Sequence, residues 1–141
     1  MNQNKTVNHR GFSLIELLIV IACIGIIMAI SYPHMRNALV DARQSGALQN
    51  LRGMVTAQHT YHLQYKRFAT LTELDSFRTG FGTLSTGTLL KNNYTFQTVP
   101  ASPSVTQLES SFTITGTTVL PDGTIYQYLT DQSGNITRTL P

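Results

Sequence analysis

Glu16 is the residue of this sequence with the most unusual chemical setting. It is the one charged residue in an apolar run of 21 residues from Phe12 to Tyr32. An ionised carboxylate in hydrocarbon costs at least about 2 to 3 kcal/mol, so it requires a partner or a function. A cation held beside it would attract it strongly, because such surroundings contain little water to screen the pair. The first chemistry that the sequence indicates is therefore ion pairing in an apolar environment.

Other residues that could do chemistry form no convincing site. His59 and His62 are three residues apart on a predicted helix, a spacing that can hold a metal, but no third ligand lies near them in sequence. Asp122 and Asp131 lie in turn-rich sequence and are too sparse for the oxygen cage that calcium requires. The sequence contains no glycine-rich phosphate loop, nucleophile elbow or paired catalytic carboxylates. We therefore expect no catalytic residues, metal or cofactor, and no enzymatic activity.

The composition is that of a weakly charged, threonine-rich chain. Charged residues make up 12% of it, against roughly 25% in an average soluble domain. Threonine accounts for 20 residues, mostly from Thr56 onward, which favours β-structure with an uncharged surface. The net charge is +3, but without Lys5 and Arg10 the basic and acidic residues nearly balance, so nucleic acid is not an expected partner. The single cysteine, Cys23, excludes an intrachain disulfide.

The apolar run is long enough to cross a membrane as a helix. Its 21 residues span about 32 Å, close to the roughly 30 Å of a hydrocarbon core. A secretory signal peptide, cleaved near Ala29-Ile30-Ser31, is the alternative, but here a Gly-Phe junction precedes the apolar run. Basic residues flank both ends of the run, so the positive-inside rule leaves its orientation open.

The segment Gly11-Phe12-Ser13-Leu14-Ile15-Glu16 closely resembles the prepilin cleavage motif of type IV pilins and type II secretion pseudopilins, and the resemblance covers roughly residues 9 to 36. It implies that a prepilin peptidase cuts between Gly11 and Phe12 and methylates the new amino terminus of Phe12. It also implies that the leader, residues 1–11, stays in the cytoplasm. The family's glutamate corresponds to Glu16, and its helix-kinking proline corresponds to Pro33.

Removal of the leader would place a new positive charge four residues before Glu16, at the start of the same helix. If that amine belongs to a neighbouring subunit, its attraction to Glu16 sets the axial register as subunits leave the membrane. Pairing of Glu16 with its own amine, or exposure to lipid headgroups, is the alternative. Pro33 lacks an amide hydrogen and predicts a bend near the membrane exit. Gly25 is a second weak point, and the resemblance implies that the helix loosens between Gly25 and Pro33 in a filament.

Beyond Pro33 the sequence predicts that the helix continues to about Tyr65, with residues 34–66 as its amphipathic half. Spacings of three, four or six residues indicate one packing face, made of Met35, Leu39, Ala42, Leu48, Leu51, Val55, His62 and Tyr65. Polar residues tend toward the other faces, namely Asp41, Arg43, Gln44, Asn50, Arg52 and Gln58.

Residues 67–141 predict a small C-terminal head. Thr72 is a candidate cap for a short helical turn, with Asp75 three residues on, and residues 79–93 are expected to form a loop. Alternation with a period of two predicts strands from Tyr94 onward, with a bulge or bend at Gly116. The expected fold class is α+β and pilin-like, with the long helix packed on a small three- or four-stranded antiparallel sheet. The residues expected to be buried are Tyr94, Phe96, Phe112, Ile114, Ile125 and either Tyr126 or Tyr128.

The residues and the resemblance predict a structural subunit of a type IV pilus or pilus-like filament, with residues 12–33 as the transmembrane and assembly helix. The resemblance implies a single-pass precursor in the bacterial inner membrane with a cytoplasmic N-terminus, and then an extracellular filament or periplasmic pseudopilus. The expected partners are further copies of the chain, related pilins, the prepilin peptidase, an assembly ATPase and an inner-membrane platform protein. A pseudopilin of a type II secretion system is the alternative. A membrane-anchored DNA-uptake or adhesion subunit that does not polymerise is the third possibility.

Overall fold

The computed structural model of the chain describes residues 12 to 140. In chain order, the helices and strands of this range are α1 (Leu14–Tyr65), α2 (Leu71–Phe77), β1 (Thr83–Ser85), β2 (Thr88–Lys91), β3 (Tyr94–Thr98), α3 (Val105–Ser110), β4 (Thr113–Val119), β5 (Ile125–Asp131) and β6 (Ile136–Leu140). The strands pair in chain order as one antiparallel sheet. The predicted α+β class is confirmed, with six strands where three or four were expected.

Residue contacts divide the chain into two compact units, the first ending at Val40 and the second beginning at Asp41. All the buried side chains of α1 lie in the second unit. They recur every three or four residues, which gives the helix one packing stripe. This stripe consists of Ala47, Asn50, Leu51, Met54, Val55, Ala57, Gln58 and Tyr61.

The predicted packing face of the amphipathic half is right at its centre and wrong at its ends. Leu51 and Val55 are buried, as predicted. Met35, Leu39 and Tyr65 are each at least half exposed, with 57%, 51% and 50% of their surface accessible. A face drawn from spacings of six as well as three and four drifts around the helix, so it follows the real stripe over only two turns.

Asn50 and Gln58, expected on the polar faces of the helix, are buried. Asn50 Nδ2 donates a hydrogen bond to the carbonyl of Phe81 at 2.8 Å. Gln58 uses both ends of its amide, since Nε2 donates to the Ala69 carbonyl and Oε1 accepts from the Ala69 amide, each at 2.7 Å. Because these buried amides have partners, their burial costs little, and polarity alone was a poor guide to their position.

Residues 79–93, expected to be a loop, contain the hairpin formed by β1 and β2, and that prediction is wrong. The two residues that join these strands, Thr86 and Gly87, have φ values of +45° and +78°. Asn92 and Asn93, which join β2 to β3, have φ values of +54° and +65°. Two-residue turns with both φ values positive match the twist of paired strands, so the residues that indicated a loop instead close two hairpins.

The sheet buries one face against α1. Tyr94, Phe96, Phe112 and Ile114 are buried as predicted, and Tyr128 is the buried member of its pair of candidates. The predicted burial of Ile125 is wrong, since this residue is 40% exposed. Ile125 lies three residues before Tyr128 on β5, so the two side chains lie on opposite faces of the sheet. Its pairing partner is Val119 of β4.

Gly116 lies within an uninterrupted stretch of β4, and the bulge expected there is absent. Consecutive residues of β4 pair with β3 and β5 on both sides of it, and the irregular register lies between β5 and β6, at Gln127 and Tyr128. A Cβ at Gly116 would lie 2.7 Å from the ring of Phe96 and 3.8 Å from Leu51 Cδ1. The glycine thus leaves room for the Phe96 ring between the strand and the long helix.

Two capping boxes start the short helices of the second unit. Thr70, and not Thr72 as expected, caps α2, and its hydroxyl accepts from the amide of Glu73 while the Glu73 side chain bonds back to Thr70. Ser104 and Gln107 form the same arrangement at α3, a helix that was not predicted. Glu73 lies three residues after Thr70, at the third position of α2, where glutamate is the usual partner in a capping box.

Candidate functional site

The candidate site begins with the apolar N-terminal stretch of α1, none of whose side chains is buried within the described part of the chain. An 18-residue window in α1 has a mean hydropathy of 2.8, and none of it is buried. Leu14, Ile19 and Ile30 are 81%, 55% and 64% exposed. By length and composition this helix could cross a membrane. Such a continuous exposed apolar surface needs cover from lipid or from other chains.

Glu16 lies in the first turn of α1. The carbonyl of Ser13 accepts from the amides of Glu16 and Leu17 at 3.0 and 3.2 Å, which closes this turn. A carboxylate at a helix N-terminus is favoured by the helix dipole. Among residues 12 to 140, no basic group forms an ion pair with Glu16.

The other predicted site residues lie along the same helix and are not brought together. Phe12, the first described residue, is 75% exposed, whereas Gly11 lies outside the described residues. Gly25 has open space around the position of a Cβ, so packing within the chain does not require a glycine there. Pro33 lies inside α1, which continues to Tyr65. From Glu16 to Pro33 the helix rises by about 26 Å, so these residues form an array along the helix axis.

In the second unit, the histidines considered as metal ligands have aromatic neighbours. The rings of His62 and Phe68 have centroids 4.6 Å apart, and His59 meets the edges of Phe68 and Phe112 at 6.2 and 6.4 Å. Within the part of the chain that the structure describes, no three His, Cys, Asp or Glu side chains gather as a metal site. This region serves the packing of α1 on the head.

The two aspartates considered for calcium are engaged in their own turns. Asp122 Oδ1 accepts from the amide of Thr124 at 2.9 Å. Asp131 Oδ1 accepts from the amide and hydroxyl of Ser133, and these hydrogen bonds lower the pKa of Asp131. Both carboxylates thus stabilise the connections that precede β5 and β6.

Arg67 and Glu73 form an ion pair that sequence reasoning missed. Arg67 Nη1 lies 2.9 Å from Glu73 Oε2, and the guanidinium lies 5.5 Å from the ring centroid of Tyr61. The hydrogen bond from Arg67 lowers the pKa of Glu73 to about 2, although partial burial opposes this shift. The spacing of six residues across a helix end gave no local signal for the pair. The pair therefore joins the segment after α1 to the first turn of α2.

The N-terminal part of the chain matches a known family model. Residues 7–32 match the model described as the prokaryotic N-terminal methylation motif. The match covers the Gly-Phe junction, Glu16 and the whole apolar run. No solved structure gives a significant match to the chain.

Curated relatives match over the same end of the chain. The chain is 41% identical over 61 residues to "Type IV major pilin protein PilA" of Myxococcus xanthus, a match covering 43% of this chain and 28% of the relative. It is 40% identical over 59 residues to "Type IV major fimbrial protein FimA" of Dichelobacter nodosus, covering 42% and 37%. It is 36% identical over 60 residues to "Type IV major pilin protein PilE1" of Neisseria gonorrhoeae, covering 43% and 36%. The matched segment thus spans about a third of the length of these relatives, and over this segment the chain is similar to type IV pilins.

Proposed function

We propose that this protein is a structural subunit of a type IV pilus or pilus-like filament, and that it polymerises through its apolar helix. The observation that carries the proposal is the complete exposure of the apolar window of α1. A surface of this kind is stable in lipid before assembly and against other copies of the same helix afterwards. The relatives are named as major pilins, which favours a pilin over a pseudopilin.

Processing by a prepilin peptidase would prepare the helix for assembly. Cleavage between Gly11 and Phe12 removes the leader and leaves a methylated amine on Phe12. This amine lies four residues before Glu16 in sequence, just ahead of the first turn of α1. When the amine belongs to a neighbouring subunit, the pair fixes how far one subunit is displaced along the filament relative to the next. Gly25 and Pro33 bound the stretch of helix that loosens during packing.

In this proposal the chain is a membrane protein before it becomes part of a filament. The precursor crosses the bacterial inner membrane once, with its N-terminus in the cytoplasm, and the assembled filament is extracellular. Assembly requires a motor ATPase and an inner-membrane platform protein, and the filament contains copies of this chain with or without related pilins. No step requires nucleic acid or a cofactor.

The test is the intact mass of the protein recovered from filaments sheared from expressing cells. We expect the mass of residues 12–141 plus one methyl group, together with the mass of any attached sugar. The control is protein from cells that lack the peptidase, which should keep Met1 and remain in the membrane fraction. Recovery of only uncut monomers from cells with a working assembly system would overturn the proposal. Electron micrographs of the same cells distinguish long extracellular fibres from a periplasmic pseudopilus.

A further inference from the structure

A cavity of about 390 Å³ lies in the second unit, between α1 and the residues on either side of the β1–β2 hairpin. Residues of α1 between 46 and 53 form one wall, residues 78–81 form another, and the end of β2 with the turn after it forms the third. The volume is within the range of about 300 to 1,000 Å³ that is common for small-ligand sites. The lining includes two basic side chains, Arg78 and Lys91, and no acidic one. We call it the basic cavity.

Lys91 is half-buried at the wall of the basic cavity and has only neutral partners there. Its Nζ donates hydrogen bonds to the carbonyl of Gly80 and, at 3.4 Å, to Asn50 Oδ1. Within residues 12–140, no carboxylate forms an ion pair with Lys91. A charge that is partly removed from water is costly unless an opposite charge compensates it. The ammonium group therefore favours an anion in the cavity beside it.

Arg78 brings a second positive charge to the basic cavity. Its backbone amide caps the end of α2 by donating to the carbonyl of Leu74. Its exposed guanidinium takes part in no hydrogen bond, ion pair or ring contact among the residues that the structure describes. A guanidinium presents a planar fork of N–H donors, which matches the oxygens of a phosphate or carboxylate group. Arg78 is thus available to a ligand without loss of a contact in the fold.

Two side-chain amides add neutral donors to the lining. Gln49 of α1 and Asn92 of the turn after β2 line the basic cavity, and neither side chain has a hydrogen-bond partner within residues 12–140. A Cβ at Gly46 would lie 2.8 Å from Asn92 Nδ2, so the glycine leaves room for this amide against α1. Glycine is unfavourable inside a helix, and here its small size keeps a donor at the cavity wall.

We propose that the basic cavity binds a phosphate group, either as free phosphate or as the terminal phosphate of a small organic ester. Such a group carries a charge of about −1.5 to −2 at neutral pH, which matches the two cations of the cavity, Arg78 and Lys91. Its oxygens accept hydrogen bonds from several directions, and the amides of Gln49 and Asn92 supply further donors. The site lies within the second unit of one chain, so the inference does not rest on the proposed filament function.

The test titrates the full chain in detergent with inorganic phosphate or with methyl phosphate, and follows the side-chain amide signals of Gln49 and Asn92 by NMR. NaCl at the same ionic strength is the reference. We expect both signals to shift and to saturate below about 10 mM ligand. Arg78→Gln should weaken binding at least about tenfold, because a charge-assisted hydrogen bond is lost. Arg52→Gln removes an exposed arginine of α1 that does not line the cavity, so it should bind like the wild type.

The two ligands distinguish the sources of the phosphate group. Equal affinity for both indicates a site for free phosphate, whereas tighter binding of methyl phosphate indicates a site for an ester. Three outcomes would overturn the inference: no saturation with either ligand, equal shifts with NaCl alone, or unchanged binding by Arg78→Gln. Thermal melts of each variant record its folding, and Arg78→Gln should melt like the wild type because its guanidinium has no partner within residues 12–140.

Discussion

At the scale of single residues, Glu16 is the residue to which the sequence assigns the most specific chemical role. The structure places it in the first turn of α1, among exposed apolar side chains. We expect Glu16→Ala to leave removal of the leader unchanged, because the Gly-Phe junction is intact. We expect filament yield to fall at least about tenfold, because the amine of the neighbouring subunit loses its counter-charge. Immunoblots of the cut and uncut forms, and of sheared filaments, measure the two effects separately.

Two further variants separate charge from shape at this position. Glu16→Gln keeps the size of the side chain and removes its charge, so it should assemble as poorly as Glu16→Ala. Glu109→Ala removes an exposed acid from α3 and should leave both processing and filament yield unchanged. Normal assembly of Glu16→Ala would contradict the register role.

Gly116 shows that the type of a residue does not by itself explain its position in a strand. A glycine inside a strand pattern has several explanations, including a bulge, a bend and a close approach of another group. The deciding fact is the ring of Phe96 from the neighbouring strand, which leaves no room for a Cβ. That neighbour is 20 positions away in sequence, so the choice depends on strand register and not on the local pattern.

At the scale of elements, the Arg67–Glu73 pair predicts how stability depends on pH. The folded pKa of Glu73 is about 2, below its ordinary value of 4.5. The pair therefore stabilises the fold above about pH 4.5, and this contribution is lost as the pH falls toward 2. We expect Glu73→Gln to have a free energy of unfolding about 1 kcal/mol lower than the wild type at neutral pH, and so to melt at a lower temperature. The effect is small because Glu73 is partly exposed. Thermal melts of the full chain in detergent, followed by circular dichroism, measure the difference.

The same melts at lower pH provide the sharper comparison. Between pH 4.5 and 2 the wild type should lose stability faster than Glu73→Gln, so that the two melting temperatures converge. Glu109→Gln, in the exposed part of α3, should follow the wild type throughout. A constant gap between wild type and Glu73→Gln over this range would show that the ionised pair contributes nothing.

The sequence predicted long or strongly patterned elements well and short ones poorly. The end of α1 at Tyr65 and the start of β3 at Tyr94 lie where periodicity placed them. The six residues of α3 are too few to show a helical period, although Ser104 and Gln107 carry a capping-box signal. The hairpin of β1 and β2 was missed because Thr86 is an unusual residue for positive φ.

At the scale of the whole molecule, the candidate assembly residues could be named from the sequence because they follow one another along a single helix. Burial in the head was harder to predict, because it depends on which loops meet the helix. Gln58, for example, is buried because it bonds to the backbone of Ala69, 11 residues later.

The distribution of burial predicts that the head folds without the first unit. Each member of the buried hydrophobic core lies between Ala47 and Tyr128, within the unit that begins at Asp41. We therefore expect residues 41–141, expressed alone in an oxidising or reducing compartment, to be monomeric and soluble without detergent, because the apolar helix that requires lipid or other copies is gone. Gel filtration should give the monomer mass, and thermal unfolding should be cooperative.

Leu51→Ala in this fragment removes a fully buried side chain and should lower the free energy of unfolding by about 2 to 5 kcal/mol. Ser102→Ala, at an exposed position, should leave it almost unchanged. A fragment that aggregates, or that melts without a transition, would mean that the head depends on the preceding helix for its stability.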